Sequence, residues 1–112
     1  WDGSGCRSDP SWFGFLLRVS PKAPVNRNEL ALDLERQRIG TRMLFGGNLL
    51  RQPVMVQLRQ DRPEAVRLVG ALHGSDALME QALFLGTYPG LMDGMLDFKC
   101  SAIHAFILGR VT

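Results

Sequence analysis

The sequence predicts an α+β domain: a small mixed or antiparallel sheet covered by helices on one side. Three observations lead there. Bulky apolar stretches of strand length occur at Trp12–Val19, Thr41–Phe45 and Leu83–Gly86. Segments with helical spacing and helix-start signals fall between and after them. The apolar share is 46% in 112 residues, which suits one globular domain rather than a disordered chain.

In chain order, residues 1–10 are rich in Gly, Ser and Asp and read as an irregular lead-in. Trp12-Phe13-Gly14-Phe15-Leu16-Leu17-Arg18-Val19 reads as a strand buried over most of its surface, ended by Pro21 and Pro24. Gly14 inside it predicts a bulge or a close approach by another group. Asn26-Arg27-Asn28-Glu29 has the form of a capping box. Leu30 and Leu34 then share a helical face with Ala31, while Asp33, Arg36 and Gln37 face water. Gly40 is the expected stop of this helix. Thr41–Phe45 reads as a second strand, and Gly46–Pro53 as an ordered loop.

Val54–Leu58 alternates only weakly, and Gln60–Glu64 is polar and exposed. Val66–Leu72 reads as a short strand or an extended connection. Ser75-Asp76 marks a helix start, with Leu78, Met79 and Ala82 on its apolar side. Leu83–Gly86 follows as a strand, and Tyr88-Pro89-Gly90 as a turn. A last helix begins at Leu91 and carries Met95, Leu96 and Phe98. No internal repeat is visible.

Composition excludes several classes. The net charge is +2, and Arg36, Arg38 and Arg42 are interleaved with Glu29, Asp33 and Glu35. A nucleic-acid groove needs a denser basic patch with stacking aromatics, so no nucleic-acid partner is expected. No stretch approaches the roughly 20 apolar residues of a membrane helix. The chain opens Trp-Asp-Gly-Ser-Gly, without a signal peptide or an initiator Met, which fits a chain that starts inside a larger reading frame and equally one shortened by processing. Cys6 and Cys100 are too few for a disulfide framework and read as free thiols of a cytoplasmic protein. No metal-ligand spacing is present.

Catalytic groups are missing too. No serine lies in a G-x-S-x-G elbow. His73 reads as a loop residue and His104 as part of an apolar tail, both without partners. Gly46-Gly47 follows a strand, but no G-x-G-x-x-G or P-loop lysine accompanies it. The segment does hold Asn48, Arg51 and Gln52 between two glycines and a proline. Arg offers a planar fork for carboxylate or phosphate. Bracing of the loop and binding of a ligand are both open to these side chains.

Five blocks occur in order: Asp9-Pro10-Ser11-Trp12-Phe13-Gly14-Phe15, Asn28-Glu29-Leu30, Arg38-Ile39-Gly40-Thr41-Arg42, Leu44-Phe45-Gly46-Gly47-Asn48-Leu49-Leu50-Arg51-Gln52-Pro53, and Tyr88-Pro89-Gly90-Leu91. Together they resemble the C-terminal domain of the CDP-4-dehydro-6-deoxyglucose 3-dehydrase family, in the DegT/DnrJ/EryC1/StrS group of pyridoxal-phosphate fold-type I proteins. The resemblance runs from about Asp9 to Phe98, within an expected small domain of residues 1–98 whose first ten residues are an entry segment. Residues 99–112 depart from the family pattern and form a divergent tail.

The resemblance implies a reaction in which pyridoxamine phosphate condenses with the 4-keto group of a CDP-sugar and the C3 hydroxyl is lost. An iron–sulfur flavoprotein reductase supplies electrons. It further implies a homodimer and a role in deoxysugar and lipopolysaccharide O-antigen synthesis. The cofactor in such enzymes is held mainly by a large domain that this sequence lacks, so no catalytic residue is expected here and no cofactor binding by this chain alone. Phe13 stands where aminotransferase relatives commonly carry a His near the cofactor, although a buried strand phenylalanine needs no special purpose. Phe13, Arg42, Asn48 and Arg51 are the candidates for proximity to substrate or cofactor. A stand-alone binding module and a non-functional gene remnant are the alternative readings.

Overall fold

A computed structural model describes residues 5, 7 and 9–110. Among the described residues three strands form one antiparallel sheet: β1 (Gly14–Arg18), β2 (Thr41–Met43) and β3 (Ala82–Gly86). The order is β1-β3-β2, so the last strand lies in the middle and pairs with both others. Leu83 and Leu85 of β3 share one face with Leu17 across the register. Helices α1 (Arg27–Arg36) and α4 (Asp93–Leu108) cover that face. Leu30, Ala31, Leu34, Ile39, Leu83, Leu85 and Ala102 make the core, with Leu34 and Leu83 fully enclosed. This is the α+β arrangement that the alternation of strands and helices predicts.

Gly14 answers the expectation of a close approach. Pairing runs unbroken from Gly14 against Gly86 to Arg18 against Ala82, so there is no bulge. A Cβ at residue 14 would lie 3.1 Å from the Phe84 ring.

The capping box at α1 is present in full. The Asn26 side chain accepts from the Glu29 N–H at 3.0 Å, and the Glu29 carboxylate accepts from the Asn26 N–H at 3.3 Å. The end of α1 differs from expectation, because Gly40 does not stop it. Arg38 takes the left-handed conformation, at φ 61°. The Ile39 N–H bonds to the Leu34 carbonyl and the Arg38 N–H to that of Glu35. This is a Schellman turn with arginine where glycine is usual, and it is held by the buried contact of Ile39 with Leu34. Burial of Ile39 sets the position of the turn, and Gly40 falls two residues too late.

Glu35 ties this turn to β2. Its carboxylate accepts from the Thr41 N–H at 2.7 Å and the Thr41 hydroxyl at 3.0 Å. Those bonds, the backbone one first, hold the Glu35 carboxyl below its ordinary pKa.

Two further expectations are corrected. Pro53 opens a helix, α2 (Pro53–Asp61), where a loop ending in proline followed by weak alternation was expected. Proline suits the first helical position, because its missing N–H has no partner there and its φ is already helical. His73 opens α3 (His73–Gln81) and is not a loop residue. Ala82, expected on that helix, begins β3 instead. Residues 66–72 are an extended connection without strand pairing. Helix α4 begins two residues after Leu91 and continues unbroken past Phe98. Ala102 is buried, and Ile103 and Phe106 pack against the core. Among the described residues no helix is long and apolar enough to cross a membrane.

The chain is spread out for its size. Its radius of gyration is 17.6 Å, against about 13 Å for a compact domain of this length. It exposes 8779 Å², where a folded monomer of its mass exposes about 6,200 Å². Helix α2 contributes to this: it buries no residue, and Val54 stands 75% exposed.

Candidate functional site

The sheet face opposite α1 and α4 is open. Strand alternation sends Leu16, Phe84 and Arg42 to this face, paired in register across the three strands. Phe13, just before β1, and Phe45, just after β2, flank Phe84. The ring of Phe13 stacks on that of Phe45 with centroids 5.9 Å apart. Both rings meet Phe84 at its edge, at 6.0 and 5.9 Å. Phe13 and Phe45 are 73% and 78% exposed, an unusual state for aromatic rings in a cluster. Phe45 also holds a left-handed backbone, at φ 40°, which is strained for a bulky residue. With Arg42 and Met43 these rings line a shallow depression.

The Gly46–Pro53 segment leaves this face and turns onto α3. Gly47 takes φ 59° and sits against Met79, so that a Cβ there would lie 2.5 Å from the Met79 Cγ. Asn48 is 4% exposed, the one buried polar residue among those described. Its side-chain oxygen accepts from the Leu50 N–H and opens a short 3₁₀ turn, Leu49–Arg51. Its amide donates to Asp76 Oδ1 at 2.7 Å. Arg51 donates through Nε and Nη2 to the two oxygens of Asp76, at 3.1 and 2.9 Å. Gln52 donates to the Gly46 carbonyl at 2.7 Å and closes the loop on itself. The Arg51 bonds, then that of Asn48, lower the Asp76 pKa to about 2, and the same pairing raises that of Arg51.

The four sequence candidates thus fall into two pairs. Phe13 and Arg42 lie together on the open face. Asn48 and Arg51 meet on Asp76, where both brace the loop. Phe45, Phe84 and Asp76 join these sites without having been singled out by sequence. Alternation along Leu83-Phe84-Leu85 could have revealed Phe84. Asp76 carries no local signal beyond that of a helix start.

A pyridoxal-type cofactor needs a group for its ring nitrogen, a surface for its ring and donors for its phosphate. The carboxylate closest to the candidate loop, Asp76, is already committed to Arg51 and Asn48. Lys99 donates to the Gly86 carbonyl. At these two sites the described residues offer aromatic surface and the guanidinium forks of Arg42 and Arg51, which do not make a complete holding site. Among them no group of three or more His, Cys, Asp or Glu side chains could hold a metal ion. His73 and His104 are exposed, and Cys100 is an exposed free thiol; Cys6 lies outside the described residues.

Fold and site together define a small α+β domain with one finished face and one open aromatic face. The sequence model of the DegT/DnrJ/EryC1/StrS aminotransferase family matches residues 4–103, and the chain belongs to that family. It is 42% identical over 100 residues to the lipopolysaccharide biosynthesis protein RfbH of Salmonella typhimurium. It is 41% identical over 100 residues to the dTDP-4-dehydro-2,6-dideoxy-D-glucose 3-dehydratase of Saccharopolyspora spinosa. Each match covers 89% of this chain, yet the chain spans only 22% and 20% of those relatives. Members of the family use pyridoxal or pyridoxamine phosphate and act on sugars.

Proposed function

We propose that this chain is the small, cleft-closing domain of a pyridoxamine-phosphate-dependent nucleotide-sugar 3-dehydrase of deoxysugar and O-antigen synthesis, inert by itself. The open face of Phe13, Phe45, Phe84 and Arg42 carries this reading. An aromatic surface of this kind, on a chain exposing some 2,600 Å² more than its mass requires, fits one wall of a larger body. The share of the relatives that the chain spans supports the same view.

In the complete protein the cofactor supplies the electron sink for removal of the C3 hydroxyl, and a large domain holds it. The residues of this chain exclude water from the cleft and present polar groups at its rim. Phe13, Phe45 and Phe84 do the first. Arg42 and Arg51 are the candidates for the second, and Asn48, buried and bonded to Asp76 and Leu50, braces the loop that carries Arg51. The substrate is a CDP-4-keto-6-deoxy sugar, with an iron–sulfur flavoprotein reductase as redox partner. The working assembly is a homodimer in the cytoplasm.

Titration of the isolated chain with pyridoxamine phosphate, read in the cofactor's absorbance band, tests the reading. No saturable binding is expected from this chain, and restored binding with sugar dehydration once it is joined to a large domain. Saturable micromolar binding by the chain alone would refute it, as would a folded joined protein that binds no cofactor.

A further inference from the structure

Asp76 lies on α3, 25 and 28 residues along the chain from the two loop side chains it holds. It is three residues from Met79, which seats Gly47, so one face of α3 fixes the loop at two points. The carboxylate takes the Nε and Nη2 edge of Arg51. A guanidinium has five N–H donors, and this pairing leaves three of them free. They remain accessible, because the Arg51 side chain is 62% exposed while that of Asp76 is 26% exposed. An unpaired arginine would sample many orientations and lose rotamer freedom on binding. Bidentate pairing to a carboxylate on a helix removes most of that freedom beforehand.

We propose that Asp76 is a positioning residue: it grips one edge of Arg51 so that the opposite edge is held ready for a phosphate group at the cleft. This rests on the reading that the Gly46–Pro53 loop borders the substrate cleft. Substrate diphosphate and cofactor phosphate share the chemistry, and the experiment separates them. Asp76 takes no part in the chemical step, so its loss acts on binding through Arg51.

The test uses the protein in which this domain is joined to its cofactor-bearing domain. Asp76→Asn, Arg51→Ala and the double variant are compared for KM and kcat with the CDP-4-keto-6-deoxy sugar, and for affinity in a pyridoxamine phosphate titration. Each single variant is expected to raise KM about tenfold, with a smaller change in kcat, and the double variant to be no worse than Arg51→Ala. The same coupling in the cofactor titration would assign the phosphate to the cofactor and uphold the positioning role. If Arg51→Ala leaves both quantities unchanged, the cleft reading of the loop fails, and this inference with it. If Arg51→Ala raises KM but Asp76→Asn does not, or if the two effects multiply, the positioning role is overturned while the cleft reading stands. Should Asp76→Asn fail to fold, Arg51→Lys keeps the charge and loses the bidentate fork; an unchanged KM in that variant also overturns the proposal.

Discussion

Gly47→Ala tests how the candidate loop is seated. Gly47 has φ 59°, a region that costs a residue with a Cβ about 1–2 kcal/mol. The added methyl would lie 2.5 Å from Met79 Cγ, 2.7 Å from its Cβ and 3.0 Å from its sulfur. Methionine is flexible, so its Cγ and sulfur can swing away. Its Cβ is fixed by the α3 backbone and cannot, so the crowding retains the lower part of the usual overpacking cost, about 1–2 kcal/mol. The sum is a destabilisation of about 2–4 kcal/mol, a large fraction of a small domain's total stability. Urea unfolding followed by circular dichroism measures it. Gly40→Ala is the control, since no atom lies within 4 Å of a Cβ there and its φ is not left-handed. Adding Met79→Gly to Gly47→Ala, which removes the fixed Cβ as well, should recover the crowding share measured against Met79→Gly alone, and leave the backbone share. Equal effects at residues 47 and 40, or no relief from Met79→Gly, would refute the reasoning.

Arg38→Gly should stabilise the chain by about 0.5–1 kcal/mol, the left-handed strain relieved less the greater freedom of an unfolded glycine, seen as a raised Tm. Leu34→Ala should cost about 2–5 kcal/mol in urea unfolding, because Leu34 is fully enclosed and its cavity would be lined by Leu30, Ile39 and Leu83. Asp76 should titrate near 2 in a carbon-detected NMR titration, against 3.8 for a free side chain. Its folded pKa is depressed, so the stability from its pairing is complete above about pH 4 and fades as pH falls toward 2. Asp76→Asn should abolish that part of the acid dependence, and an ordinary Asp76 titration would show that the Arg51 pairing does not persist in solution.

The amino-acid order alone determined whatever depends on near neighbours. Asn26 and Glu29 are three residues apart, and their reciprocal bonds need only one turn of backbone. The three strand segments follow from short apolar runs, the face of Leu30 and Leu34 from helical spacing, and the ordered blocks carry the family. Tertiary structure decided the rest. Arg38 became the left-handed residue because Ile39 had to reach the core, a demand set by β3 and α4 rather than by the residues around Gly40. Pro53 began a helix rather than ending a loop, which the proline itself permits equally well. Asp76 met Asn48 and Arg51 only once β3, following α3 directly, had entered between β1 and β2 and brought α3 against the loop. Contacts across 25 residues or more depend on how every element closes on the core, and no local pattern encodes that closure.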